Sequence, residues 1–396
     1  MGLIADSVAL AEFCRRQDGQ EFVTIDTEFM RDRTYWPILC LVQVAGSEAA
    51  AAIDTLAPGI DLEPLFALLR RSSLLKVFHA ARQDIEIFYN LTGAVPAPLF
   101  DTQVAAMVCG FGDAASYETL AGRLAHAQID KSSRFTDWSR RPLSDRQLKY
   151  ALDDVVPLRR VYETLAARLR ANGRALWLEE EMAELTDPAT YRLDPAEAWR
   201  RVKLRTGNRR ALALARALAE WREKTAQERN QPRNRILRDE QLIEIATHAP
   251  MTAAELAQGR GLGKGFAEGR FGAEILEVVG RVRDAPESRY PEPPPREIVV
   301  PGLGPIVDLL RVLLKLKCEE NGVAHKLVAN ADDLERIAAQ DDAPVRPLSG
   351  WRWELFGKDA IDLKHGRLAL TAAGKRISLV RLGSGEIGLQ PAREAR

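Results

Sequence analysis

Asp26 and Glu28 stand one residue apart in the stretch Phe-Val-Thr-Ile-Asp-Thr-Glu-Phe at 22–29. Side chains at i and i+2 of a strand leave the same face, so a strand here aims both carboxylates at one point. The flanking Phe22, Val23, Ile25 and Phe29 predict a buried strand. Two unpaired like charges there are costly, and a divalent cation held by oxygens resolves the repulsion. An exposed strand end carries the same spacing without any function, so the pair needs support from elsewhere. Asp84 is one support: an apolar run from Leu74 to Phe78 meets His79-Ala80-Ala81, which puts Asp84 in the first turn of a helix just past a strand. Helix N-termini favour acids in any case. A third cluster lies at 141–155, where Ser144 and Gln147 have capping-box spacing and predict a helix from about Asp145 through Tyr150 and Asp154. Tyr150 and Asp154, four apart, share a helical face. Asp153, three from Tyr150, competes for the same place, and spacing alone does not choose between the two aspartates.

These three clusters resemble the motifs of the DEDD-type 3′-to-5′ exonucleases, in the subclass whose last motif carries tyrosine. The segment from Asp130 to Val155 is similar to the long signature of the ribonuclease D family, and the resemblance spans residues 1 to about 190. It implies an α/β, ribonuclease H-like exonuclease domain. It also implies a set of roles: Asp26 bridging two divalent ions, Mg²⁺ or Mn²⁺, Glu28 and Asp154 completing the first site, Asp84 holding the second partly through water, and Tyr150 orienting the attacking water. The residue types suit that chemistry. In-line phosphodiester hydrolysis needs a nucleophile, charge neutralisation on phosphoryl oxygens and help for the leaving oxygen, which two ions about 4 Å apart supply. Ligands that are all oxygen point to Mg²⁺ or Mn²⁺ rather than zinc. A phenol with a pKa near 10 is a poor base at neutral pH, so Tyr150 is expected to position water. Substrate contacts are expected from His79, at the strand-to-helix turn, and from Lys131 and Arg141 in the signature, which also holds Arg134 and Trp138; a basic and aromatic mixture suits phosphate contact and base stacking.

The elements that must position these groups follow from pattern. Apolar segments at about 21–28, 38–45, 49–54 and 74–78 predict strands, the first three antiparallel neighbours because their connections are short. Mostly helical sequence follows from about 83. Pro157 is expected to kink or restart the catalytic helix. At 396 residues and 46% hydrophobic content the chain exceeds one compact core and is not disordered. No apolar run approaches a membrane span and the N-terminus lacks a signal-peptide pattern, so a cytoplasmic protein without membrane contact is expected. Four scattered cysteines, Cys14, Cys40, Cys109 and Cys318, exclude a Cys-x-x-Cys cluster and read as buried thiols.

Net charge is zero, yet Arg200–Arg238 holds 13 Lys and Arg against 3 Asp and Glu, a local balance of +10. A basic segment beside an acidic head is what a nuclease needs to hold a polyanion. The region from Ala211 to about 280, with Arg229-Asn230-Gln231-Pro232 and Gly261-Leu262-Gly263, resembles the helicase-and-RNase-D C-terminal (HRDC) module. Its Gly-x-Gly-x-Gly at 261–265 is not a dinucleotide fingerprint, because helical sequence precedes it. The expected order is therefore an exonuclease domain at 1–190, a nucleic-acid-binding HRDC bundle at 200–285, a proline-rich linker at 286–296 and a second, divergent HRDC-like bundle at 297–380. The last stretch, Arg-Ile-Ser-Leu-Val-Arg-Leu, alternates like a strand. The expected activity is metal-dependent 3′-to-5′ exoribonuclease action that releases nucleoside 5′-monophosphates. By resemblance alone, the substrate is structured RNA such as transfer RNA precursors, with no obligate protein partner. A DNA exonuclease and a non-catalytic RNA-binding scaffold are the alternatives; the complete acidic set argues against the scaffold.

Overall fold

A computed structural model describes residues 2–204, 206–293 and 302–382. The linker expected at 286–296 falls outside them from residue 294, and of its described part Glu287–Arg289 is a single 3-10 turn. Contacts divide the chain into two compact units.

The first unit is built around a mixed sheet. Strands β1 (Gly2–Ile4), β2 (Phe22–Met30), β3 (Ile38–Ala45), β4 (Ala50–Asp54), β5 (Leu75–Phe78) and β6 (Leu99–Asp101) lie in the order β1-β4-β3-β2-β5-β6. As expected, β2, β3 and β4 are antiparallel neighbours. β5 joins β2 in parallel, which requires the crossover through the helix Glu63–Arg70. All of β4, and β3 from Leu39 onward, are buried on both faces, so this is a covered sheet rather than one with a wet side. β1 and β6, three residues each, are too short to show a period, which is why the sequence did not reveal them.

The helix Asp145–Ala171 begins where the capping box predicts: the Gln147 amide N–H bonds the Ser144 hydroxyl, and the Gln147 side chain accepts from the Ser144 N–H at 3.0 Å. It continues as one helix past Pro157 and does not restart there. Proline has no N–H to give the carbonyl four residues back. Packing outweighs that loss, because Val155, Leu158 and Val161 are at most 1% exposed. Thr24 on β2 also donates to the Val155 carbonyl at 2.7 Å, which ties the helix to the sheet beside the proline.

The same unit contains a helical bundle whose core joins Leu214 and Leu218 of the helix Arg209–Arg229, Leu242 and Ile245 of Asp239–His248, and Ile275 and Val279 of Arg270–Asp284. The glycine-rich turn precedes the last helix of the bundle and lies between two short helices, Ala253–Leu256 and Lys264–Ala267, with Gly261 at φ +75. The segment Pro195–Arg201, just before the bundle, is 3-10 helical.

The second unit gathers the helix Ala175–Thr186 up to Met182 with Gly304–Asn321, Ala331–Ala339 and Lys358–Lys364. Its buried Glu181 carboxylate takes Arg346 at 2.7 Å and Arg352, itself buried, and Trp177 stacks on Trp351 with ring centroids 4.3 Å apart. The alternating final stretch is strand β8 (Arg376–Arg381), paired with β7 (Leu368–Ala373) as a hairpin. Cys14, Cys40 and Cys318 are buried thiols as expected, whereas Cys109 is only half-buried. No helix among the described residues is long and apolar enough to cross a membrane.

Candidate active site

β2 emerges from the core between Ile25 and Glu28, and its alternation sends Asp26 and Glu28 to the face covered by the helix Asp145–Ala171. The pairing of β2 with β3 shifts register between Glu28 and Phe29. Such a bulge re-aims the side chains beside it, and it left no mark in the sequence. Asp154 comes down from the helix, and one oxygen from each of Asp26, Glu28 and Asp154 lies within 4.8 Å of the others. Asp153 turns away and pairs with Lys149 at 2.5 Å, which answers the choice the spacing left open.

Asp84 is not a member of this close cluster. It is buried, and Thr27, which points to the opposite face of β2 from Asp26, donates its hydroxyl to Asp84. Its charge still reaches the cluster, raising both Asp26 and Glu28. The turn that delivers it holds Ala80 at φ 58, a left-handed conformation that disfavours any side chain.

The electrostatics are those of buried carboxylates crowded together, eased by the charge of Arg134. Burial, then Asp154, Asp84 and Glu28 in turn, push the Asp26 carboxyl well above its ordinary range. Burial and then Asp154 and Asp84 push Glu28 up to about 9. Asp154 rises to about 7, chiefly through burial, with a hydrogen bond from Tyr150 holding it down. Burial and the three carboxylates around it drive the Tyr150 phenol far upward, so its proton stays on at neutral pH. The ring of Tyr150 leans on Trp138, centroids 5.9 Å apart; Trp138 is 2% exposed and belongs to the core.

This donor set fits hard divalent cations: it offers only carboxylate oxygens, gathered closely enough that protons must otherwise relieve them. Gln43 supports the same conclusion. It sits directly across from Asp26 in the register, fully buried, and neither its amide nitrogen nor its oxygen has a hydrogen-bond partner among the described residues. Cross-strand partners share a face, so an unmet polar group looks onto the acidic cluster. Sequence reading missed Gln43, although a lone glutamine in the apolar run Ile-Leu-Cys-Leu-Val-Gln-Val-Ala was a visible signal.

The three expected substrate contacts fare differently. His79 is half-buried at the turn before Asp84, and Lys131 is exposed on the 3-10 turn Lys131–Ser133. Arg141 does not reach outward. Its Nε and one terminal nitrogen grip both Asp54 oxygens at 2.7 and 2.5 Å, and the carbonyls of Trp138, Arg140 and Cys40 take the rest. All five donors of the guanidinium are thus engaged, and the residue braces the signature loop against β3 and β4. Arg134 is the cation whose charge eases Glu28, Asp154 and Tyr150, and the neighbouring Phe135 is 91% exposed.

A mixed sheet with this acidic centre, followed by a helical bundle, is the architecture of a nuclease. The 3′-5′ exonuclease family matches residues 1–170 and the HRDC domain residues 211–279. Ribonuclease D of Granulibacter bethesdensis is 51% identical, the alignment covering 96% of this chain and 97% of that protein. Ribonuclease D of Acidiphilium cryptum is 53% identical over the same shares. The crystal structure of Escherichia coli RNase D, an exoribonuclease involved in structured RNA processing, superposes with a TM-score of 0.80 at 31% identity, covering 92% of this chain and 98% of that one. The chain belongs to the ribonuclease D family and is a 3′-5′ exoribonuclease.

Proposed function

We propose that Asp26, Glu28 and Asp154 hold one divalent ion, Mg²⁺ or Mn²⁺, that Asp84 with Asp26 holds a second, and that the substrate is the 3′ end of structured RNA such as a transfer RNA precursor. The observation that carries this reading is the convergence of three carboxylates within 4.8 Å on groups whose burial and mutual repulsion favour protons over charge. When bound, the ions supply charge neutralisation for the phosphoryl oxygens and acidify water. Tyr150, its proton held on, donates rather than accepts and keeps Asp154 oriented. His79 and Lys131 contact the terminal nucleotides. Arg141 keeps the loop that carries Arg134 in place. The HRDC bundle binds RNA, and the bundle after the proline-rich stretch is a divergent second copy that braces more than it binds.

The test is an RNA with a labelled 5′ end and free 3′ hydroxyl, incubated with Mg²⁺, Mn²⁺ or chelator beside the Asp154→Asn variant. The expected result is a ladder that shortens from the 3′ end and releases nucleoside 5′-monophosphates, lost with chelator and in the variant. A ladder that persists in chelator, or undiminished in Asp154→Asn, refutes the carboxylate assignment. Repeating it with a transfer RNA precursor and with an unstructured RNA of equal length tests the substrate.

A further inference from the structure

A second concave feature of the first unit lies away from the carboxylates, between the β2–β3 connection, the start of the helix Arg82–Thr92 and the segment that leads into the helical bundle. It encloses about 220 Å³, and its walls carry Arg31, Arg82, Arg201 and Arg233 together with Tyr35 and Trp36. We infer that this cleft binds one nucleotide of the RNA strand upstream of the reacting 3′ end, its phosphate on the arginines and its base against Trp36. The inference rests on the exoribonuclease reading and adds a subsite to it.

Charge comes first. Glu86 on the wall takes Arg31 at 2.5 Å. Glu223 behind it, 2% exposed, takes Arg233 at 3.0 Å, Arg201 at 3.9 Å and the Tyr35 hydroxyl. Four guanidiniums against two carboxylates leave 4 − 2 = +2. Each guanidinium has five donors, so those already paired keep most of them for a ligand. Arg82 is exposed and makes no hydrogen bond or ion pair among the described residues. A fold that needed only to neutralise the buried Glu223 and the half-buried Glu86 would not require it. Such a surplus, in forked donors, matches a phosphate.

The aromatic pair supplies the other half of a nucleotide site. Tyr35 and Trp36 meet edge to face at 4.7 Å, with the Arg233 guanidinium 5.6 Å above the Tyr35 ring. The Tyr35 hydroxyl and the Trp36 amide, the latter 2.9 Å from the Asn230 side chain, fix both residues from the bundle side. The half-buried Trp36 indole is therefore a pre-positioned platform for a base.

Position links the cleft to the reaction. Arg31 is three residues beyond Glu28, and Arg82 two before Asp84. Residues two apart on a helix do not face each other, so Arg82 leaves the helix on a different side from Asp84 and serves a neighbouring nucleotide rather than the scissile phosphate. A strand threaded from this cleft to the carboxylates is held both by the nuclease sheet and by the chain leading to the HRDC bundle.

The test uses the full chain and the variants Arg82→Gln, Trp36→Leu and Trp36→Phe, with binding of a 5′-fluorescein decaribonucleotide read by anisotropy in chelator and hydrolysis of that decamer and of a diribonucleotide read with Mg²⁺. Arg82→Gln and Trp36→Leu are expected to weaken decamer binding about tenfold and raise its KM by a like factor, with kcat and dinucleotide hydrolysis unchanged. Trp36→Phe should restore most of the affinity. The slope of log affinity against log salt should shrink by about 0.7 in Arg82→Gln and stay the same in Trp36→Leu. Unchanged decamer binding in both variants overturns the proposal, as does an equal loss on the dinucleotide, which would place the effect at the catalytic centre or in the fold. A wild-type protein that binds the decamer through these residues yet cleaves nothing would refute the metal-centre reading and uphold this one.

Discussion

Replacing Glu28 by glutamine should make the metal-free protein more stable while removing its activity. Glutamine keeps the shape and discards the charge. The sign follows from proton linkage: Glu28 has its pKa raised from 4.5 to about 9 in the folded state, so between those values the fold binds more protons than the unfolded chain, and stability falls as pH rises through that window. At about 1.4 kcal/mol per pH unit, the group alone costs the wild type about 5 kcal/mol at pH 8 and less than about 1 at pH 5. The repulsion is shared with Asp26 and Asp154, so relieving one member gains about 2–5 kcal/mol at pH 8. For a unit of this size each kcal/mol moves Tm by about 2–4 °C. Thermal unfolding by circular dichroism in chelator, at pH 5, 6.5 and 8, reads the effect directly. The expected pattern is a Tm advantage for Glu28→Gln that grows with pH. With Mg²⁺ present, the wild type should gain stability and the variant little. A variant less stable than the wild type at pH 8, or an advantage that does not change with pH, refutes the claim that burial and the neighbouring carboxylates raise Glu28 in the fold.

Other outcomes follow from the same structure. Asp26→Ala should abolish RNA cleavage and leave RNA affinity in chelator within about twofold, checked by ladder assay and anisotropy. Gln43→Met, which removes the unpartnered buried amide, should raise metal-free stability by about 1–3 kcal/mol and lower kcat; a loss of stability would mean the amide has partners in solution. Arg141→Ala should destabilise the protein by about 3–5 kcal/mol because it strands the buried Asp54, and Arg141→Lys should not rescue it, since the bond is a two-point fork; denaturant unfolding measures both. Phe135→Ala should weaken RNA binding by about 1–3 kcal/mol with Tm unchanged, as expected for so exposed a ring.

The acidic motifs and the central strands were legible because each is a local pattern: i and i+2 on a strand, i and i+4 on a helix, a capping box at Ser144. What escaped the sequence was non-local. Nothing in Arg141-Pro-Leu announces that Asp54, 87 residues earlier, will occupy the guanidinium. A basic residue in a nuclease signature reads as a phosphate ligand until its partner is seen. The basic stretch 200–238 misleads in the same way: Arg222 is 4% exposed and holds Asp239 at 2.7 Å, so part of that charge is internal mortar. Pro157 fails as a helix breaker because the tertiary packing of Val155 and Leu158 outweighs a local preference. The close approach of Asp154 over Asp153 depends on which helical face meets β2, which a one-residue difference in spacing could not decide.

The acidic centre can persist only if something resists its repulsion, and apart from Arg134 the resisting groups are not counter-ions. Arg134 eases Glu28 and Asp154 from an exposed loop, whereas Asp26 has help from the Thr27 backbone amide. The force between β2 and the helix Asp145–Ala171 is opposed instead by neutral ties and remote cations. Thr24 bonds the Val155 carbonyl, and Arg159 lies 4.1 Å over the Phe22 ring and donates to the Ala45 carbonyl at 3.2 Å. Trp138 backs the Tyr150 ring, and Arg141 locks Trp138's loop onto Asp54. None of these ties consumes a carboxylate of the cluster. Had the frame used Arg159 or Arg141 to neutralise Asp26 or Glu28, the site would be stable but closed to cations. By directing its arginines to carbonyls, a ring and Asp54, the fold keeps the carboxylates in register and leaves their charge to be met from outside, by protons or by a divalent ion that meets groups already held in place.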